Sequence, residues 1–169
     1  MKTSNAIPSD LVLVITSFSK YGLDVSQLKA EDESADYGAY TFILDGKRIV
    51  FRVAKITPTK TGQFVTLWKR KHKDAPIEPF EVEDDIDFFI ISARNGNYFG
   101  QFIFPRSVLH SKGILSDKNK EGKRAIRVYP PWDKTANKQA TKTQQWQLNY
   151  FLDNTADINL AKVKNLLFV

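Results

Sequence analysis

The 169-residue sequence contains no cysteine. Disulfides, thiolate zinc sites and a cysteine nucleophile are therefore excluded. There are two histidines: His72 stands in a charged stretch and His110 beside a serine. Neither has a ligand partner at metal-binding spacing, and no Ser/His/Asp triad can be assembled around them. No apolar run approaches the roughly 18 residues needed to span a bilayer. The opening MKTSNAIPSDLVLVITSF lacks the form of a secretory signal: its apolar run, Leu11 to Ile15, is short, Asp10 adjoins it, and no small-residue cleavage site follows. These absences predict a soluble, cytoplasmic protein with no membrane partner.

A further absence is local. From Gly46 to Lys73 there is no Asp or Glu, and seven acids then follow between Asp74 and Asp87 with no Lys or Arg among them. The net charge is +6. A moderate positive excess favours encounters with phosphates and other anions. The remaining composition, 42% hydrophobic and 12% aromatic, suffices for a packed core, and the length predicts one domain over residues 1–169.

The pattern of elements predicts an α+β fold with a central mixed sheet flanked by helices. Leu11, Val14, Ile15 and Phe18 share one helical face, with Ser9 or Asp10 as cap and Gly22 as stop. Val25 to Glu33 gives only a weak signal, for a short helix or a loop. Tyr37 to Leu44 reads as a strand, Asp45-Gly46 as a two-residue hairpin turn, and Arg48 to Ala54 as the return strand. Thr57-Pro58 breaks it, and Gly62 to Trp68 follows as a third strand. Lys69 to Glu83, with Pro76 and Pro79, reads as an exposed connection. Ile86 to Ala93 is apolar enough for a strand buried on both faces. Asn95-Gly96-Asn97 turns it into Tyr98 to Phe104, and Pro105 opens a short helix over Arg106 to His110. Ala125 to Tyr129 is a short strand stopped by Pro130-Pro131. Thr135 to Leu152 is the best long helix, and Ile158 to Leu167 reads as a last one.

Several constellations bear on chemistry. Lys55, Lys60 and the Lys69-Arg70 pair come from two strands and their joining loop. With the hydroxyls of Thr57, Thr59 and Thr61, the loop Thr57 to Gly62 could cradle a phosphate; charges that merely deter edge pairing are the bland alternative. The glycines of a Walker loop are missing. Asp85 and Asp87 flank Ile86 and would form a ligand pair for Mg²⁺ on one strand face; neutralising the basic run is their other reading. The segment Arg127 to Trp132 holds Tyr129 and Trp132 rigidly between prolines, either to stack on a base or to plug the sheet. Ala140, Gln144, Gln147 and Phe151 share one face of the long helix, and Lys138 and Lys142 share another. Buried glutamines need hydrogen-bond partners, for which Gln63 and Gln101, each in a Gly-Gln-Phe string, are candidates.

Read together, Arg52-Val-Ala-Lys55, Thr57-Pro58 with Lys60, Gly62-Gln-Phe-Val65, Trp68-Lys-Arg70, Asp87-Phe-Phe89, Gly100-Gln-Phe102 with Phe104-Pro105, Arg127-Val-Tyr-Pro-Pro-Trp132 and Thr143-Gln-Gln-Trp-Gln147 resemble the MepB family of small bacterial proteins. The resemblance runs from about Tyr37 to Phe151. It implies a fold similar to the restriction-endonuclease-like three-layer architecture, and no pump activity, although members sometimes lie beside a multidrug efflux pump. Nucleases of that fold carry an Asp on one strand and Glu/Gln-x-Lys on the next, with carboxylates holding Mg²⁺ and Lys polarising water. Here Val53-Ala54-Lys55 keeps the lysine but has Val at the acid's place, and Asp45 lies in the turn.

The sequence therefore predicts a surface formed by Lys55, Lys60, Gln63, Lys69, Arg70, Gln101, Arg127, Trp132, Gln144 and Gln147, binding a phosphate-bearing ligand, above all nucleic acid. The alternatives are a divalent-metal phosphodiesterase using Asp85, Asp87 and Lys55, with Mg²⁺ as its cofactor, and a protein-interaction module.

Overall fold

The computed structural model describes residues 6–168; Met1 to Asn5 and Val169 lie outside it. Helix α1 spans Ser9–Lys20 and buries Leu11, Val14 and Phe18. Its cap position is Pro8, which makes no side-chain cap bond, so Ser9 and Asp10 lie inside the helix. The Asp10 carboxylate instead receives Arg94, 2.9 Å away.

Strands β1 (Val25–Ala30), β2 (Tyr40–Leu44) and β3 (Lys47–Val53) follow. The Asp45-Gly46 hairpin forms as predicted, with Leu44 paired to Lys47 across it. The region given as helix or loop is β1, antiparallel to β2 with a register shift between Ser26 and Lys29. That irregularity spoils the alternation by which strands are read from sequence. Ala35–Tyr37 is a 3₁₀ turn, so β2 begins later than expected.

Short strand β4 (Lys55–Ile56) leaves β3 and pairs with β5 (Gln63–Thr66). A two-stranded piece, β6 (Trp68–Lys69) and β7 (Glu78–Pro79), comes next. The long hairpin is β8 (Phe88–Asn95) and β9 (Tyr98–Pro105), and α2 (Arg106–Ser111) is continuous with its end. Strand β10 (Ala125–Val128), α3 (Lys138–Leu148), β11 (Phe151–Asp153) and α4 (Leu160–Leu167) complete the order. Helix α3 is shorter than predicted at both ends. Asn137 caps it, its Oδ1 accepting the Ala140 N–H at 2.8 Å. Phe151 and Leu152 leave the helix to pair with Phe102 and Gln101 at the sheet edge.

The central sheet has order β1-β2-β3-β8-β9-β11, and β3 and β8 run parallel within an otherwise antiparallel set. Alternation along each strand divides the core. On one face Phe42, Phe51, Ile90 and Ile103 meet α1 and α4 through Leu11, Phe18, Val163 and Leu167. On the other, Phe89, Ile91, Phe102 and Phe104 meet the small sheet β10-β5-β4 through Val65, Ile126 and Val128, together with Leu109 of α2 and Trp146 of α3. Each such side chain contributes about 1.5–3 kcal/mol by leaving water. The result is three layers, with the central sheet buried on both sides. Among the described residues, no helix is long and apolar enough to cross a membrane.

Candidate functional site

The Lys69-Arg70 end of the basic run is neutralised at home. Lys69 Nζ lies 2.7 Å from Asp84, 3.6 Å from Glu81 and 3.8 Å from Glu78. Burial works against its ammonium, but the hydrogen bond to Asp84 and the three carboxylates outweigh it and hold the Lys69 pKa above the ordinary lysine value. Arg70 meets Glu33 at 2.8 Å and donates to the Ala75 carbonyl. Arg52 is fully buried and grips Glu31 with both terminal nitrogens, at 2.8 and 3.0 Å. The Lys69-Arg70 end is thus a clasp between the basic and acidic runs rather than a free anion receptor.

The three-residue nuclease constellation does not assemble. Asp85 pairs with the Arg48 guanidinium. Asp87 accepts the Arg48 backbone N–H at 2.8 Å. Both stand beside the start of β3. Lys55 follows the end of that strand, seven residues on and about 20 Å away at strand rise. Its ammonium lies over the Tyr37 ring, 4.6 Å from the centroid. Among the described residues, no group of three or more His, Asp or Glu side chains is placed to hold a metal ion. The donor set therefore does not fit the metal that a nuclease fold implies.

The glutamines also separate. Gln101 lies on the α1/α4 side of the central sheet, where it joins Ser92 and Asn154 in a buried network at 3.2 Å. Gln63 lies on the opposite side, and its amide nitrogen donates to the Arg94 carbonyl at 3.1 Å. Trp132 plugs the sheet: it stacks on Tyr98 at 5.5 Å and meets Phe151 edge-on. The two Gly-Gln-Phe strings do not converge on one site.

Gln144 and Gln147 have a shared purpose. Gln144 Nε2 donates to the carbonyls of Pro130 and Asp133. Gln147 Oε1 accepts the Tyr129 N–H at 2.8 Å, while its Nε2 donates to the Arg127 carbonyl at 2.9 Å. Together they pin α3 to β10 and the rigid proline turn. Arg127 in turn reaches the Gly62 carbonyl and the Thr57 hydroxyl, which ties down the loop carrying Lys60. Gly62 is required here: its φ is +84°, and a Cβ would meet the Tyr129 ring at 2.6 Å.

These ties create a groove of about 460 Å³ between β10, the Lys60 loop and α3. Lys60, Lys112, Lys123 and Arg127 line it with Phe64, Tyr129 and Trp146, and with Asn137, Gln139, Thr143 and Gln147. Among the described residues that line it, none is acidic. Lys60, Lys112 and Lys123 are exposed, and none of the four cations takes part in a salt bridge among the described residues. Of the sequence-predicted surface, Lys60, Arg127 and Gln147 stand in this groove, and Gln144 braces its wall.

Lys112, Lys123 and Trp146 were not among the predicted site residues, although charge counting reaches the region. Residues 106–152 hold ten Lys or Arg against three Asp or Glu, a net of +7, so the rest of the chain sums to −1 against the total of +6. The three acids in that region are Asp117, paired with His110, Glu121, paired with Arg124, and Asp133. Burial raises the Asp133 pKa above the ordinary value, against the opposing hydrogen bond from the Gly62 N–H.

The MepB-like family model matches residues 31–153. The chain belongs to the MepB-like family. Consistently, it is 37% identical to the protein in the crystal structure of MepB, with a TM-score of 0.77 over 88% of this chain and 99% of that one. A bacterial homing endonuclease, I-Ssp6803I, is 16% identical, with a TM-score of 0.50 over 86% of this chain and 93% of that one. The second likeness is one of fold, and it supports the nuclease-like layered architecture expected from the sequence. No curated protein matches this member of the MepB-like family.

Proposed function

We propose that the groove between β10 and α3 binds nucleic acid through its phosphates. The observation that carries this reading is the meeting of Lys60, Lys112, Lys123 and Arg127 in one concavity, with no lining carboxylate among the described residues. Unpaired cations on converging walls raise the local potential and draw in anions. Aromatic and amide side chains between them suit a ligand that has both phosphates and bases. The proposed activity is binding, not phosphodiester cleavage, because the carboxylates and the lysine that cleavage requires stand at opposite ends of β3.

Fluorescence anisotropy with a labelled oligonucleotide, measured across salt concentrations, tests the reading. Four phosphate contacts predict that log K falls linearly with log salt, with a slope of about −3 to −4. Affinity that is independent of salt, or no binding even at low salt, would overturn it.

A further inference from the structure

We infer that the basic turn between β6 and β7, with the open corner of the central sheet beside it, docks an acidic, extended segment of another protein that carries a large apolar side chain. The inference is independent of the groove between β10 and α3. On the small-sheet side, the core draws on β3, β8, β9 and β11 and, among the described residues, on none of β1 or β2. Register places Thr41 beside Val50 and Ile43 beside Arg48. Alternation therefore turns Thr41 and Ile43 to that same side, where both are only partly buried. Two cavities open over this corner. One, of about 620 Å³, is lined by Leu28, Ile43, Val50, Phe80 and Ile86, and the paired Arg48 and Asp85 border it. The other, of about 770 Å³, is lined by the run Lys69 to Lys73 facing residues 29–33. Lys29, Glu31 and Thr41 line both. The two thus form one trough, apolar at one end and cationic at the other.

The charge at the cationic end is available. Glu31 is taken by Arg52, and Glu33 by Arg70. Lys29 and Lys73 take part in no salt bridge among the described residues, and Lys71 has only a 3.9 Å contact with Glu78. Against these three exposed lysines stands one exposed lining carboxylate, Asp32. The clasp gives the surface its rigidity. Arg70 donates to the Ala75 carbonyl, the Ala75 N–H bonds the His72 carbonyl at 3.0 Å, and three carboxylates hold Lys69. Lys71 and Lys73 are presented on a fixed turn, so less order has to be imposed when a partner binds. An extended segment suits the trough, because its alternate side chains, roughly 7 Å apart, reach the apolar and the cationic end in succession. The bulge between Ser26 and Lys29, with Gln27 at φ +53°, guards the outer edge of β1 against strand addition. The segment therefore lies on the face of the sheet. Glu78, Glu81, Asp84 and Asp85 of this chain are already engaged with Lys69 and Arg48, so the acids come from another protein.

A displayed library of random dodecapeptides, selected on the full-length protein at low salt, tests the inference. Expected is enrichment of sequences that combine several Asp or Glu with Leu, Ile or Phe. A labelled synthetic peptide of that consensus is then measured by fluorescence anisotropy. Lys71→Ala/Lys73→Ala should weaken it by about 2- to 30-fold, the range for two exposed charge pairs. Ile43→Ala should weaken it by at least about fivefold, while Lys112→Ala/Lys123→Ala leaves it unchanged. Both lysines of the first variant are exposed, and a wild-type melting temperature verifies that it folds. No enrichment, enrichment of peptides without acids, or binding that survives the Lys71/Lys73 and Ile43 substitutions would overturn the inference; none of these outcomes touches the nucleic-acid reading. Loss of the oligonucleotide salt slope in Lys71→Ala/Lys73→Ala would assign this face to nucleic acid and overturn it as well.

Discussion

Gln147 of α3 donates to the carbonyl of Arg127 of β10 at 2.9 Å, and its other amide atom accepts the N–H of Tyr129. One buried side chain thus fixes the two walls of the cationic groove relative to each other. Gln147→Leu keeps the volume but strands both backbone groups, at about 1–3 kcal/mol each. The expected outcome is a lower urea midpoint and weaker oligonucleotide binding in the same variant. Unchanged stability would show that the groove walls are held by other contacts.

Arg52 and Glu31 test the assignment of the basic run to structure. The guanidinium is fully buried and Glu31 is its ion-pair partner. Glu31→Ala leaves a buried charge unpaired, which costs about 3–5 kcal/mol. Chemical denaturation should show that loss. The salt slope of nucleic-acid binding should not change, because this pair lies outside the groove.

Asp133 gives a pH signature of unusual sign for a carboxylate. Burial raises its pKa in the folded protein above the ordinary value of 3.8. Its stabilising, protonated form is fully present below the unfolded value and is lost as pH rises through the folded one. Asp133→Asn has no such dependence. The stability of the wild-type protein relative to this variant should therefore fall as pH rises from about 3 toward neutrality, as thermal melts in a pH series would show. A constant difference would contradict the burial of this carboxyl.

The parts of the fold governed by short-range chemistry were legible in the sequence. Asp45-Gly46 specifies a tight turn, and Asn95-Gly96-Asn97 with its flanking apolar runs specifies the β8–β9 hairpin. Strands β1 and β11 were not legible. The first is irregular in register, and the second owes its state to long-range pairing of Phe151 with Phe102. The candidate site was half legible for the same reason. Lys60, Arg127, Gln144 and Gln147 stand out by type and spacing. Lys69 and Arg70 look free only because their partners Asp84 and Glu33 are remote in sequence. Lys112 stands alone past α2 and Lys123 stands beside Arg124 in a mixed-charge stretch, and their meeting without a lining carboxylate among the described residues becomes visible only when α3 is folded against β10.

The location of the free positive charge decides the matter most directly. Lys112→Ala/Lys123→Ala removes two groove cations, and Lys71→Ala/Lys73→Ala removes two exposed cations of the basic run. Oligonucleotide affinity measured over a salt series should show the slope of log K against log salt reduced in magnitude by about 1.4–1.8 in the first variant and unchanged in the second. The reverse pattern, with the slope lost only when Lys71 and Lys73 are removed, would contradict the groove as the binding site.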